Sequence, residues 1–282
     1  MSETRETRRA ASLPRQLAWT AGAVLIIAAL VFPVYWMAVL AFDDSRSILA
    51  DTPVFWPRQP SLDNFTHAWD LVAGNILIST IVALSVTVIT LVIAVPASYY
   101  LAQFRFRWTA VIMLGLLVAQ MIPGIALGLS FYTMFAQAHL LNSYVGLILA
   151  DTTYGIPFAV VLLRAFMESV PADTLAAARI DGSGEWRVFI RIAVPLATPG
   201  IITAALFAFL FAWGDFLFAV TLNGTGAVQP VTVGLYKFVG TYGSDWGGIM
   251  ASVVLAIIPA SVFLILAQRW LTVGVRTGGM TG

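Results

Sequence analysis

Residues 16–42 carry no charged side chain, and residues 71–104 carry none either. A helix needs about 20 consecutive apolar residues to cross the hydrocarbon core of a bilayer. In lipid every backbone polar group must be satisfied within the segment, and a helix does this. These two stretches therefore constrain the whole chain to a fold built from membrane helices. A secretory signal also opens with basic residues before an apolar run, and residues 1–16 hold Arg5, Arg8, Arg9 and Arg15. The apolar part of such a signal is only about 7–15 residues long. Residues 17–42 accordingly read as a retained first helix, kinked at Pro33.

Four further runs follow. Residues 108–136 should break or kink at Pro123 and Gly124, and residues 144–167 are interrupted by Asp151, Gly155 and Pro157. Residues 199–222 contain Asp215, residues 223–245 read as a Gly-rich loop with Lys237, and residues 246–271 contain Pro259. The expected fold is an all-α membrane protein with six transmembrane helices. Its parts are a tail at 1–16, the first helix at 17–42, a loop at 43–70, a core of helices 2–6 at 71–271 and a tail at 272–282. The loop is polar and turn-rich, with a short helix around 63–69, and Trp56 and Trp69 suit an interfacial belt. Composition agrees: 10% of the residues are charged, against about 25% in a soluble domain.

Six spans put both termini on one side. Of the 15 Lys and Arg, all except Arg46, Arg58 and Lys237 fall on the side of the N-terminus. The positive-inside rule then places both termini in the cytoplasm. Several functions are excluded. The chain has no cysteine, and its two histidines, His67 and His139, are too few for a histidine metal cluster. Its only lysine, Lys237, is not in a phosphate-binding loop, so the chain does not hydrolyse ATP that way. A net charge of +1 gives no basic patch for nucleic acid.

Residues 171–200 form a charged island between two of the runs. Pro171 suits a first helical turn, and Ala176, Ala177 and Ala178 are strong helix formers. Gly182 can supply the left-handed residue that ends the helix. Ser183 is expected to cap a second helix, with Glu185 in its first turn. Trp186, Phe189, Ile190 and Ala193 recur at helical spacing and should share one apolar face, with Arg187 and Arg191 on another. Pro195 stops the helix. Periodicity alone also allows a helix lying on lipid headgroups.

The pattern resembles the coupling loop of ABC importer permeases. Ala177, Ala178, Gly182, Ile192, Val194 and Pro195 fall on that loop's spacing, and Asp181 precedes the glycine as it often does there. The family's glutamate is replaced by Ala176. Further stretches are similar to carbohydrate-importer permeases of the maltose type: 97–106, 142–148, 156–158, and 211–219 around Trp213, Asp215 and Phe216, where Gly214 replaces the usual Asn. So do Trp246, Pro259, Gln268, Arg269 and the tail at 274–282, where Thr281 replaces a common lysine.

The resemblance implies the type I ABC importer permease fold, with the coupling loop between helices 4 and 5, in the bacterial inner membrane. It implies four partners: a second homologous permease, two ATP-binding subunits and an extracytoplasmic solute-binding protein. ATP and Mg would sit on the partners, and this chain would bind no cofactor. Ala176, Ala177, Ala178, Asp181, Gly182, Ile192 and Pro195 would couple to the ATPase. Asp215 is expected to face the permease interior, with Phe211 and Phe218 one turn either side of it on the same helix; these three, Asp151 and Tyr154 are candidates for the solute pathway. The alternatives are an ABC permease for another polar solute, such as a polyamine, or an ion-coupled secondary transporter built on the broken helices and the two intramembrane carboxylates.

Overall fold

The structure, a computed structural model, describes residues 13–43, 55–57, 59–104, 107–241 and 245–278, with side chains from residue 17 to residue 269. The arginines of the first nine residues and Arg46, Arg58, Arg105 and Thr281 lie outside these ranges. The described residues are helical and connecting; no strand occurs among them.

In chain order the helices are α1 (Leu13–Ala41), α2 (Asp63–Gln103), α3 (Thr109–Ala119), α4 (Gly124–Gln137), α5 (Tyr144–Glu168) and α6 (Ala172–Ile180). Then come α7 (Glu185–Leu196), α8 (Thr198–Gly214), α9 (Leu217–Leu222), α10 (Val231–Thr241) and α11 (Trp246–Gly278). Four of these, α1, α2, α5 and α11, are unbroken and long and apolar enough to cross a bilayer. The count is six if each of two bent pairs is one span: α3 with α4, bent by 92°, and α7 with α8, bent by 76°.

Three boundaries differ from the sequence reading. The short helix expected at 63–69 is continuous with the next span, so α2 has 41 residues and is about 60 Å long at 1.5 Å per residue. This exceeds a hydrocarbon core of about 30 Å, and the polar first turns around Asp63, Asn64 and His67 account for about 12 Å of the surplus. No breaker intervenes, since Gly74 is tolerated inside a helix. The loop expected at 223–245 contains α10, whose Val231, Val233 and Phe238 are buried. It starts where Ser79 Oγ accepts from the Val231 N–H at 2.7 Å. The last helix continues to Gly278, into the stretch expected as a tail.

The scaffold is the crossing of α2 and α5. Lipid gives membrane helices no hydrophobic reason to associate, so close approach depends on small residues. Ala83, Ala94, Ala150 and Ala159 are fully buried, and a Cβ on Gly155 would lie 2.7 Å from Thr90 Oγ1. Two apolar clusters flank this crossing. One joins Val82, Val86 and Leu147 to Phe209, Trp213, Phe218 and Leu222. The other joins Leu163 and Met167 to Leu175, Val188 and Phe189, and so fastens α6 and α7 to the bundle.

Gly200 packs α8 on α5. A Cβ there would fall 2.3 Å from Phe166 Cγ and 2.7 Å from its Cβ, an overlap the ring cannot avoid by rotating. Gly200→Ala should therefore destabilise the assembled permease by about 1–3 kcal/mol, the usual range for overpacking. Gly74→Ala, which meets nothing within 4 Å, should not. Thermal melting of the purified complex distinguishes the two; equal midpoints would contradict this packing.

Candidate functional site

The segment between α5 and α8 is a knob with two unlike sides. Its closure comes from Gly182, whose φ is +82°, a conformation that costs glycine little. The Gly182 N–H bonds to the Arg179 carbonyl at 3.0 Å and the Ser183 N–H to the Ala178 carbonyl at 3.0 Å. That pair is a Schellman motif, which satisfies the last carbonyls of α6. Arg179 spans the turn: its Nε lies 2.7 Å from Glu185 Oε1 and its Nη2 3.2 Å from Oε2. Hydrogen bonding to Arg179 holds the Glu185 carboxyl below its ordinary value. Its contribution is complete above the usual glutamate value of about 4.3 and is lost as pH falls through the lowered one. At this exposure the pair contributes no more than about 1 kcal/mol.

Underneath, Leu175, Val188 and Ala193 are fully buried and Phe189 nearly so. Phe189 packs on the Tyr99 ring of α2, centroids 5.0 Å apart. The Tyr99 hydroxyl lies beside the Arg179–Glu185 pair without hydrogen-bonding to either. On the outer side, Ala176, Ala177, Asp181 and Gly182 are exposed. With them stand two large apolar side chains, Ile180 at 86% exposure and Trp186 at 71%.

The expected apolar face of α7 is only half right. Phe189 and Ala193 point inward, but Trp186 and Ile190 are exposed and Val188 is buried in their place. Val188 and Phe189 set the inward side, which already leaves Trp186 off it; in the π turn that follows at Phe189–Ala193 the Val194 N–H bonds to the Phe189 carbonyl five residues back, and Ala193 stays inward. A wider turn shifts the phase of all that follows. Pro195 supplies a reason, because its ring crowds the carbonyl four residues earlier. The N-cap is Gly184, not Ser183; the first carbonyl of the helix to accept is that of Gly184, from the N–H groups of Arg187 and Val188. Ile192 packs against the apolar underside. Pro195 is exposed just before the bend into α8. Of the two, Ile192 is turned away from the exposed outer side.

A second site lies where the two broken helices meet α5. Gly124, Asp151, Tyr154, Phe211, Asp215, Leu217 and Phe218 line a cavity of about 250 Å³. It thus gathers all five residues expected on a solute pathway. Gly124 sets the approach, since a Cβ there would lie 3.0 Å from both Leu217 Cδ2 and the Tyr154 hydroxyl. That hydroxyl donates to the Ile122 carbonyl, 3.3 Å away, inside the α3–α4 break. Asp215 sits in the α8–α9 break and accepts from the N–H groups of Phe218 (Oδ1, 3.2 Å) and Ala219 (Oδ2, 2.8 Å). Its backbone carbonyl accepts from Thr232 of α10.

Sequence spacing put Phe211 and Phe218 one turn either side of Asp215 on one helix. They do share the cavity, but across a broken helix. Phe218 is buried in a stack with Tyr154, ring centroids 5.7 Å apart, whereas Phe211 is 51% exposed. Trp213 faces away from the cavity and stacks on Phe209. Thr232 was not legible as a partner, because α10 itself was read as loop.

A many-helix bundle with broken spans and an anchored, outward-facing knob defines a polytopic membrane transport protein. Residues 94–277 match the family described as binding-protein-dependent transport system inner membrane component, and the chain belongs to that family. It is a multi-pass inner-membrane permease subunit of an ABC importer. The chain is 32% identical to the diacetylchitobiose uptake system permease protein DasC of Streptomyces coelicolor, over 92% of this chain and 95% of that one. It is 29% identical to the trehalose transport system permease protein SugB of Mycobacterium tuberculosis, over 94% and 97%. The fold is shared with a chain of a bacterial ABC transporter involved in the import of the acidic polysaccharide alginate. The TM-score is 0.75 at 19% identity, covering 92% of this chain and 98% of that one.

The two bonds from Asp215 to the start of α9 give a clear expectation. Asp215→Leu leaves two N–H groups without acceptors inside the membrane and should cost about 1–3 kcal/mol for each. Asp215→Asn keeps one acceptor oxygen and should lose less. Melting of the assembled permease should rank wild type above Asn and Asn above Leu; equal stability of Leu and wild type would contradict the capping role.

Proposed function

We propose that the chain forms half of the membrane pathway of an ATP-driven importer for a sugar or sugar-like solute. The observation that carries this is the knob: fixed underneath to α2 and α5, and presenting Ile180, Trp186 and small side chains above. Exposed apolar residues grouped on a rigid base are what a partner surface requires. The other half of the pathway is a second, homologous permease. Two ATP-binding subunits hold ATP and Mg and carry out hydrolysis, so this chain is not itself an enzyme. An extracytoplasmic binding protein delivers the solute. The sugar assignment is supported by relatives named for diacetylchitobiose and trehalose.

In this reading the termini and the knob are cytoplasmic, in line with the excess of arginine on that side. Ala176, Ala177, Asp181 and Gly182 form the docking surface, with Ala178 at its edge. Ile192 ties it to the bundle and Pro195 sets the bend into α8. ATP binding draws the ATPase subunits together and moves the docked knob. Because the knob's underside is packed on α5, the motion reaches the helices that carry Asp151, Tyr154, Phe211, Asp215 and Phe218. These line the pathway, which alternates between two packed states.

The test is docking. Gly182→Leu forces a side chain into a left-handed position, and Ile180→Glu puts a charge on the apolar knob. Each should lower co-purification of the ATPase subunits about tenfold or more, equivalent to about 1.4 kcal/mol of binding, while insertion into the membrane persists. Full ATPase recovery with both variants would rule the knob out as the docking element. The chain has no cysteine, so a single thiol at Ser183 reports sidedness cleanly: it should resist impermeant reagents in sealed cells.

A further inference from the structure

The exposed charges of the knob are sorted by arm. Asp173 and Asp181 are exposed on α6 and at its end, and Arg187 and Arg191 are exposed on α7. Between the two groups, Arg179 and Glu185 take each other, 2.7 Å apart. On α5, Arg164 is held by Glu168 at 2.6 Å. Arg187 and Arg191 have no acidic partner among the described residues. Residues four apart are neighbours on a helix, and like charges at that spacing repel. The chain thus carries two adjacent cations at a cost, with nothing of its own to meet them.

Their direction follows from the path of the backbone. Helix α7 meets α8 at 76°, so it lies across the end of the bundle and not along it. Val188, Phe189 and Ala193 fill its side toward α2 and α5. The arginines stand on the side left over, which faces out of the end of the bundle. Trp186 and Ile190 are exposed with them, at 71% and 45%. Arginine beside a large aromatic side chain is the composition that carries binding energy in protein interfaces. The guanidinium group is a rigid fork of donors that matches a carboxylate with two parallel hydrogen bonds.

We propose that Arg187 and Arg191 bind an acidic patch on the ATP-binding subunit. Ile180 and Trp186 supply the apolar part of the contact, and the arginines supply its charge. The partner's carboxylates face α7 and are repelled from α6 by Asp173 and Asp181, so the sorted charges fix which way round the partner sits. This rests on the docking role given to the knob above, and it adds the charge class of the partner surface and the residues that select it.

The test uses the chain's shortage of lysine. Arg187→Lys and, separately, Arg191→Lys place an amine on α7, whereas the only native lysine is Lys237 of α10. The assembled transporter in proteoliposomes is treated with a carbodiimide. The reagent activates a carboxylate, a lysine amine in direct contact displaces it as the urea, and an amide remains. The joined peptides are identified by mass spectrometry, because acids such as Asp181 can react in the opposite sense with lysines of the partner. Position 187 or 191 should be joined to an Asp or Glu of the ATP-binding subunit. An amide to the second permease alone, or none at either position, would overturn the proposal. A second measurement removes the charge. In membranes stripped of ATP-binding subunits, Arg187→Gln with Arg191→Gln should lower the apparent affinity for added subunits about fivefold at about 0.05 M salt, within the range of two exposed ion pairs. Wild type should lose the same advantage at about 0.5 M salt, where such pairs are screened. Wild-type affinity in the double variant at low salt would overturn the proposal, and it is the result expected of arginines that serve lipid headgroups or water. The docking role fails separately: it falls if Ile180→Glu and Gly182→Leu also leave the subunits bound. If those two release them while the arginine variants change nothing, only the charge pairing falls.

Discussion

A helix broken inside a bilayer exposes backbone groups where there is no water to satisfy them, and each costs on the order of 2–7 kcal/mol unless the protein supplies a partner. This chain breaks two helices side by side and repairs each with a side chain. The Tyr154 hydroxyl covers the Ile122 carbonyl in one break. In the other, Asp215 covers the N–H groups that open α9, and Thr232 covers the Asp215 carbonyl. The cavity between them is a consequence of those repairs. Without them the two breaks would close into continuous helices or draw in water, and the cavity wall would be lost. The α2–α5 crossing holds the repaired elements in place through its run of alanines and Gly155.

The same scaffold links the cavity to the knob. Helix α5 carries Asp151 and Tyr154 in its first half and, in its second, Leu163 and Met167, which pack on the undersides of α6 and α7. One rigid element therefore touches both sites. The knob's own geometry is set locally by the Schellman turn at Gly182 and the Arg179–Glu185 pair. This bears on the position where the family carries a glutamate and this chain has Ala176. Ala176 is exposed, and the ion pair that steadies the turn lies within the chain, three residues later and across the turn. Shape and apolar contact, through Ile180 and Trp186, are what the outer side offers a partner.

Much of this was legible in the sequence because membrane helices announce themselves by length and lack of charge. The left-handed glycine at 182 and the break at Pro123 and Gly124 were readable for the same kind of reason: backbone geometry restricts which residues can stand there. Phase was not readable. The inward side of α7 runs through Val188 and Phe189, which leaves Trp186 and Ile190 outside, and the π turn at Phe189–Ala193 is found by no periodicity argument that assumes 3.6 residues per turn. Helix α10 was missed because a short apolar helix between polar turns resembles a loop until Ser79 and Asn75 are seen to hold it. The weighting of the carboxylates also changed. Spacing singled out Asp215, yet its oxygens serve the backbone. Asp151 is the one left unpartnered, and only tertiary contacts reveal that.

The central claim is that the outer side of the α6–α7 knob is the surface through which ATP drives this permease. A photo-crosslinking side chain at position 180, in place of the exposed Ile180, tests it most directly in intact cells. Crosslinks should form to the ATP-binding subunit, and the same probe in place of the buried Leu175 should give none. Crosslinks from position 180 only to lipid, or to the extracytoplasmic binding protein, would contradict both the docking role and the orientation of the chain in the membrane.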